Sequence, residues 1–193
     1  MEPDITRLLE LTRPSLEQAY SILDRAGFEE IAHGSYAEIF YRDGDPFVLR
    51  LYANSDQAYA DFIEFAMDVT HRGNPHLPRF RGRPMKVNNE YSSVRMEKLA
   101  PCHMVDIVTD MQMFVVFREH YARHPKDDPK ENPEYQKAIG ILELKPKLLE
   151  LLAALVDDLI VKHGYQDDID INNVMMRAND TLVLIDPVCG KGF

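Results

Sequence analysis

The sequence predicts an α+β fold of two lobes, and the order of its segments carries that prediction. Short apolar runs separated by turn residues dominate residues 29–97, a pattern typical of strands joined by hairpins. Apolar residues at helical spacing dominate residues 104–163. A short pair of strands over 174–186 closes the chain. Strands and helices are therefore segregated along the chain, as the α+β class requires.

The composition is that of a globular chain with an acidic surface. Of the 193 residues, 45% are hydrophobic and 28% are charged, and the formal net charge is −10. This length favours one domain with a sizeable core. Binding phosphate backbones needs a basic face, so we expect no direct nucleic-acid binding. A basic protein partner suits this charge better.

The cysteines and the hydropathy pattern predict a cytoplasmic protein. Cys102 and Cys189 form neither a disulfide framework nor a zinc pattern, which indicates free thiols in a reducing compartment. The N-terminus has no apolar core of the signal-peptide type. No apolar run approaches the length of a membrane span, so no membrane association is expected.

The first elements along the chain are predicted to be two helices, over 4–11 and 15–25. Ser15 can cap the second helix and Gly27 ends it. Three strands are then predicted over 29–33, 37–42 and 47–52. The turn Asp43-Gly44-Asp45-Pro46 joins the last two strands as a hairpin.

The third strand is apolar throughout except for Arg50, and a charge inside such a strand needs a partner or a ligand. Ser55 or Asp56 can cap the following helix, which is predicted to run to about Arg72. Its buried stripe is predicted to consist of Tyr59, Phe62, Ala66 and Val69. Strands over 79–87 and 91–97 and helices over 104–120 and 147–163 are predicted next.

An acidic segment, Asp167 to Met176, runs into an apolar strand, and a second strand ends in Ile185-Asp186-Pro187. Four carboxylates and a carboxamide are expected to converge at one end of this hairpin. Divalent cations such as Mg²⁺ prefer oxygen ligands of this kind, together with substrate phosphates. An acidic turn on a solvated surface is the simpler alternative.

The spacing within this segment is that of a phosphoryl-transfer site. Asp168 is followed by Asn173 five residues later, and Asp186 stands at the end of the next strand. This spacing favours a site over the solvated turn.

Together these segments resemble the protein kinase-like fold. His33 to Phe40, with Gly34 and Ser35, resembles the loop that covers the nucleotide phosphates. Val48-Leu49-Arg50-Leu51 resembles the third-strand motif, with Arg in place of the usual Lys. The catalytic loop is matched by Asp168 to Asn173. The metal-binding Asp-Phe-Gly segment is matched by Ile185-Asp186-Pro187.

The resemblance is greatest to the early serine/threonine protein kinases of lytic, autographivirus-type bacteriophages, over residues 27–99 and 160–190. It implies a minimal two-lobed kinase-like fold with a truncated C-terminal lobe, as a single domain over 1–193. Residues 1–26 would be a helical extension, 27–99 the N-lobe and 100–193 the truncated C-lobe. The implied location is the host cytoplasm.

The resemblance also implies roles for individual residues. The activity would be transfer of the ATP γ-phosphate to Ser or Thr of host proteins, with Mg²⁺ or Mn²⁺. Asp168 would accept the proton of the substrate hydroxyl, and Asn173 and Asp186 would hold metal. The ATP-binding residues would be Gly34, Ser35, Arg50 and Glu64. Glu64 would steady Arg50, and Asp61 is the competing carboxylate for that position.

Two other functions remain open. The chain could be a non-catalytic kinase-like protein that binds and modulates a host protein, or a phosphotransferase acting on a small molecule. The helices after residue 104 are expected to leave an apolar face uncovered. We expect Phe114, Phe117 and Tyr121 on that face to contact a protein partner or a second copy of the chain.

Overall fold

The computed structural model describes residues 4–102 and 145–190, with positions 133, 136, 140 and 143 between them. The chain divides into two compact units. The first comprises Met1–Ile63 and Arg79–Lys98, and the second comprises Glu64–Pro78 and Leu99–Phe193. The predicted helix over 104–120 and the candidate contacts Phe114, Phe117 and Tyr121 lie outside the described residues.

Helices and antiparallel strands together make up the first unit, as the predicted α+β class requires; the last residues of its third helix, from Glu64 on, are counted with the second unit. In chain order the elements are α1 (Ile5–Thr12), α2 (Leu16–Arg25), β1 (Glu29–His33), β2 (Ala37–Tyr41), β3 (Phe47–Ala53), α3 (Gln57–Met67), β4 (Phe80–Lys86) and β5 (Tyr91–Glu97). The strands form one five-stranded sheet in the order β1-β2-β3-β5-β4. Strands β1 and β4 are therefore its edges.

Local side-chain bonds explain why α1 and α2 begin where they do. Asp4 accepts a hydrogen bond from the Thr6 amide at the start of α1. Ser15 and Gln18 form a reciprocal capping box at the start of α2. After α2, Gly27 adopts φ +77°, a conformation that favours glycine. Both predicted helices are confirmed, but each begins one residue later than predicted, because Asp4 and Ser15 are caps, and α1 also ends one residue later.

The core of the first unit lies between these two helices and one face of the sheet. Leu49 and Leu51 of β3 are fully buried there, because alternate residues of a strand share a face. The buried residues of this cluster are Ile5, Leu9, Ala19, Leu23, Phe28, Phe40, Leu49, Leu51 and Val87. The N-terminal helices are thus integral to the unit.

The opposite face of β3 packs against the start of α3. Asp56 caps that helix by accepting a hydrogen bond from the Tyr59 amide. Tyr52 and Tyr59 meet edge to face, with ring centroids 5.1 Å apart. Arg50 lies two residues before Tyr52 on β3 and so shares its face, which therefore carries a buried charge.

Helix α3 is shorter than predicted. It ends at Met67 instead of continuing to about Arg72. Asp68 terminates it, because its carboxylate accepts hydrogen bonds from the amide and the hydroxyl of Thr70 and so competes with the helical pattern. Val69, predicted on the buried stripe, is 74% exposed as a result, so that prediction was wrong.

The second unit combines a helix with small sheets. Its described elements are β6 (Ala100–Pro101), α4 (Pro146–Leu155), a π-helical segment (Val156–Val161), β7 (Gln166–Asp167), a 3₁₀ turn (Ile171–Asn173), β8 (Val174–Met176), β9 (Leu182–Leu184) and β10 (Val188–Cys189). The predicted helix over 147–163 corresponds to α4 and its π-helical continuation. Among the residues that the structure describes, no helix is long and apolar enough to span a bilayer.

Two separate sheets organise the C-terminal part of this unit. Strands β6, β8 and β9 form a three-stranded sheet in that order, and β10 pairs with β7. The buried side chains are apolar and come from α4, its continuation and the short strands: Leu148, Leu151, Leu152, Leu155, Val156, Leu159, Val174, Leu182, Val183, Leu184 and Val188. These strands position the candidate site.

Candidate functional site

The hairpin of β8 and β9 forms the frame of the candidate site. Val174 pairs with Leu184 in antiparallel register, and the turn after Met176 closes the hairpin as predicted. The Ile185 amide donates to the Asn173 carbonyl over 2.9 Å. Asn173 precedes β8 and Asp186 follows Ile185, so both residues lie at the same end of the hairpin.

Backbone hydrogen bonds attach the Asp168 loop to that end. The Asp168 amide donates to the Pro187 carbonyl over 2.9 Å. The Asn173 side chain donates through Nδ2 to the Asp168 carbonyl over 2.7 Å. Strand β7 precedes this loop, and its Asp167 pairs with Val188 of β10. The structure therefore brings together the loop segments that carry Asp168, Asn173 and Asp186.

Asp170 is used by the loop itself. Its carboxylate accepts hydrogen bonds from the Asn172 amide over 2.6 Å and from the Asn173 amide over 3.2 Å. It thereby caps the 3₁₀ turn that leads into β8. The prediction that four carboxylates converge at one end of the hairpin is therefore wrong. In the described part of the chain, no group of three or more acidic, His or Cys side chains is placed to share a metal ion.

The remaining oxygen donors suit a magnesium ion that a substrate helps to bind. Asn173 donates a hydrogen bond from Nδ2 to the Asp168 carbonyl. Its Oδ1 is then the atom of the carboxamide that can bind a metal ion. Asp186 is half-buried and follows β9, at the same end of the hairpin as Asn173. Mg²⁺ commonly takes only one or two protein oxygens and completes its shell with water and phosphate oxygens. Asn173 and Asp186 fit that donor set.

Arg50 is buried on β3, with 7% of its surface exposed. Its guanidinium lies over the ring of Tyr59, 3.6 Å from the ring centroid. A cation this close to an aromatic face is stabilised by the ring electrons. From the sequence, phosphate and a carboxylate of α3 were the expected partners of Arg50, and the aromatic ring was not foreseen. Tyr59 was recognisable only as part of the apolar stripe of α3.

The two candidate carboxylates on α3 differ in environment. Glu64 is exposed, whereas Asp61 is half-buried and accepts a hydrogen bond from Gln57 over 2.7 Å. The choice between them as the partner of Arg50 stays a prediction.

Gly34 and Ser35 form an exposed turn between β1 and β2. The Gly34 amide donates to the Ala37 carbonyl over 2.8 Å, which closes the turn. A Cβ at Gly34 would lie 3.5 Å from that carbonyl oxygen, an ordinary contact, and its φ is not positive. The turn itself does not require glycine. The exposed position leaves room for a ligand to approach the backbone closely.

Hydrogen bonds between residues 75–77 and the hairpin, here called the latch, were not predicted from the sequence. Arg177, in the turn after β8, donates to the carbonyls of Pro75 and Leu77. His76 Nδ1 lies 2.8 Å from the Leu182 carbonyl, which can only accept, so Nδ1 carries the proton. The Leu184 amide donates in turn to the His76 carbonyl. No periodicity signals such a latch, because it joins side chains to backbone carbonyls about a hundred residues away.

Comparison with known proteins adds two likenesses to protein kinases. The sequence matches no protein-family model and no curated protein. One similar structure is Rad53 1–466 in complex with AMP-PNP, with a TM-score of 0.42, 13% identity, and coverage of 88% of this chain and 42% of that chain. Another is the Cydia pomonella granulovirus kinase PK-1, with a TM-score of 0.38, 12% identity, and coverage of 89% and 55%.

The chain thus spans about half the length of these kinases. With TM-scores below 0.5, the likenesses decide neither the fold family nor the activity of this protein. The assignment of function therefore depends on the geometry of the hairpin and its loop.

Proposed function

We propose that the chain is a kinase-like phosphotransferase that transfers the γ-phosphate of ATP to Ser or Thr of proteins. One observation carries this proposal. The carboxamide of Asn173 bonds to the carbonyl of Asp168, while the amide of Asp168 bonds to Pro187, next to Asp186. Phosphoryl transfer depends mostly on positioning and charge stabilisation, and hydrogen bonds between the segments that carry Asp168, Asn173 and Asp186 support such a role for them.

The roles follow from the chemistry of the groups. The oxygen of a substrate hydroxyl attacks the γ-phosphorus, and the bond from that phosphorus to the β–γ bridging oxygen breaks, so ADP leaves. Asp168 orients the hydroxyl and accepts its proton. Asn173 Oδ1 and Asp186 would hold Mg²⁺, which supplies positive charge against the phosphate oxygens when bound.

The first unit would supply contacts to the nucleotide. Arg50 offers a fixed positive charge that suits phosphate oxygens. At the exposed turn, the Gly34 amide is engaged with the Ala37 carbonyl, so the Ser35 amide would be the donor to a phosphate, with no side chain at Gly34 in its way. Gly34→Ala should fold normally, because the added Cβ meets only an ordinary contact. It should nevertheless weaken ATP binding if the backbone approaches the phosphates there.

Two variants separate binding from chemistry. Asp168→Asn should keep Mg-dependent ATP affinity and slow phosphate transfer by about 10²–10⁴-fold, because it removes the positioned base. Asp186→Ala should lose both. Calorimetry with ATP in Mg²⁺ or EDTA measures binding, and γ-labelled ATP with protein extract measures transfer. Transfer by Asp168→Asn at the unmutated rate would rule out its role as the base.

The same measurements address the non-catalytic alternative. A kinase-like binding protein would bind its partner equally well as the wild type and as Asp168→Asn, with no labelled phosphate transferred by either. A phosphotransferase acting on a small molecule would label a metabolite extract and leave proteins unlabelled.

A further inference from the structure

Four exposed basic side chains follow one another at the edge of the five-stranded sheet. Arg79 immediately precedes β4, and Arg81, Arg83 and Lys86 lie on it; these four residues form the basic strip. From His76 to Asn89 the sequence contains no Asp or Glu. The chain as a whole has a net charge of −10, so the basic strip is a local reversal of the charge.

Within the described residues, the side chains of the basic strip are not neutralised by ion pairs, although the Glu97 carboxylate accepts a hydrogen bond from the Arg79 backbone amide over 2.8 Å. Among the described residues, none of its four side chains forms an ion pair with a carboxylate. Arg81 lies directly opposite Arg95 in the pairing of β4 with β5. Like charges placed opposite each other across strands are destabilising. The pairing with Arg95 therefore gives no reason for a positive charge at position 81, and contact with the ring of Phe47 is the favourable interaction that the described residues offer it.

As far as the structure describes the chain, Arg95 has a carboxylate partner, whereas Arg81 shares only an aromatic ring with it. Asp45 neutralises Arg95 through an ion pair of 2.6 Å, both side chains being buried. The guanidinium carbons of Arg81 and Arg95 lie 5.8 Å and 6.0 Å from the ring centroid of Phe47. Two cations thus share one aromatic ring while a single carboxylate neutralises only one of them. Among the described residues, Arg81 therefore has no carboxylate partner, which suits the binding of an external anion.

The edge position limits how a partner can bind. The register of β4 shifts between Arg81 and Met85, Gly82 adopts φ +75°, and Pro84 lacks an amide hydrogen. Bulges and prolines of this kind prevent continuous pairing with an added strand. A partner would therefore contact the side chains of the basic strip and would not extend the sheet.

We propose that the basic strip binds an extended acidic segment of a partner protein. Because four residue steps of β4, from Arg81 to Met85, match only two of β5, the basic strip advances by about five residue steps, or about 17 Å at about 3.3 Å per residue, which a peptide of about eight residues covers with a margin at each end. Arginine forks bind carboxylates through two parallel hydrogen bonds. The acidic remainder of the chain would repel a long nucleic acid more than a short peptide. This inference does not depend on phosphotransfer by the hairpin site.

Fluorescence anisotropy with three labelled probes tests the proposal on the full chain. The probes are an acidic peptide of about eight residues, the same peptide with Gln and Asn in place of its acids, and an oligothymidylate of similar charge. The acidic peptide should bind, its affinity should fall as salt is added, and the neutral peptide should not bind. Failure of the acidic peptide to bind, or tighter binding of the oligothymidylate, would overturn the proposal.

Matched variants localise the binding. Arg81→Gln/Arg83→Gln should weaken it about tenfold, because two exposed ion pairs are lost. Arg72→Gln/Lys162→Gln removes the same charge from exposed positions outside the strip and should change affinity less than about twofold. Equal losses in both pairs would mean that only net charge matters, and would refute the strip. Arg79→Gln, which changes one exposed side chain two residues before Arg81, provides the same comparison if the double variant unfolds.

Discussion

Replacing Asn173 separates the two tasks assigned to its carboxamide. Nδ2 donates to the Asp168 carbonyl over 2.7 Å, and Oδ1 is assigned to the metal. Asn173→Ala removes both groups. Asn173→Asp keeps an oxygen ligand, but it loses the donor and sets a carboxylate oxygen against a carbonyl oxygen. The two variants should therefore differ in metal binding and in stability.

The structure sets the size of the stability effect. In Asn173→Ala the Asp168 carbonyl still accepts from the Asp170 amide, at 3.1 Å, so it is not left without a partner. The loss is then that of one half-buried hydrogen bond, about 0.5–1.5 kcal/mol. For a chain of this length, each kcal/mol lowers the melting temperature by about 2–4 °C. Asn173→Asp should cost more, because it adds repulsion between two oxygens.

Two assays measure the two tasks separately. Thermal unfolding in EDTA reports the hydrogen bond, and calorimetry with ATP and Mg²⁺ reports the metal ligand. Asn173→Ala should lose about 10–100-fold in Mg-dependent affinity, whereas Asn173→Asp should retain most of it. Asn172→Ala is the control, because Asn172 is an exposed neighbour on the same turn and contributes only its backbone amide. It should change neither quantity.

Two results would refute this reasoning. If Asn173→Ala keeps its full Mg-dependent affinity, Asn173 is not a metal ligand. If its melting temperature in EDTA equals that of the wild type, the bond to the Asp168 carbonyl contributes nothing to stability.

Three further predictions concern the first unit. Tyr59→Leu should destabilise more than Tyr59→Phe, by about 0.5–2 kcal/mol in denaturant titrations, and the difference should shrink in an Arg50→Met background. Burial raises the pKa of Asp45, but hydrogen bonds from the Phe47 amide and the Arg95 side chain hold it below its usual value. Asp45→Asn should therefore cost about 1.5–3 kcal/mol at pH 7, a loss that shrinks as the pH falls below about 4. Burial raises the pKa of the Glu38 carboxyl, so Glu38→Gln should gain stability relative to the wild type as the pH rises above about 4, in thermal scans.

Local chemistry explains why much of the hairpin could be predicted. The turn after Met176, the apolar strands on either side of it and the acidic loop before it are specified within about twenty residues of sequence. Short-range signals of this kind need no knowledge of tertiary contacts. The same holds for α1 and α2, whose caps are written in the sequence as Asp4 and Ser15.

Features that depend on competition between alternatives could not be predicted. Asp68 and Thr70 are compatible with a helix, and the helix ends only because their side chains bond to each other and to the backbone. The acidic loop gave a similar error, since Asp170 was counted among the converging carboxylates. Its carboxylate instead satisfies two amides of the following turn. Both errors come from a short polar side chain that bonds locally.

The basic strip was overlooked for a different reason. A net charge of −10 averages over the whole chain and conceals a stretch in which Arg79, Arg81 and Arg83 recur at every second residue. Spacing of two on an exposed edge strand is visible in the sequence once the strand is known. The charge of each strand is therefore more informative than the charge of the chain.

The hydrogen bonds of Asp168 bear on the choice between a catalytic protein and one that only binds. Its amide donates to Pro187 and its carbonyl accepts from Asn173, so the backbone satisfies the structural needs of this position. In the part of the chain that the structure describes, the half-buried carboxylate itself has no hydrogen bond or ion pair. Any residue with the same backbone conformation would serve the loop equally well. A carboxylate without a partner among the described residues could accept a substrate proton, or it could simply be solvated, and the rate of phosphate transfer by Asp168→Asn distinguishes the two.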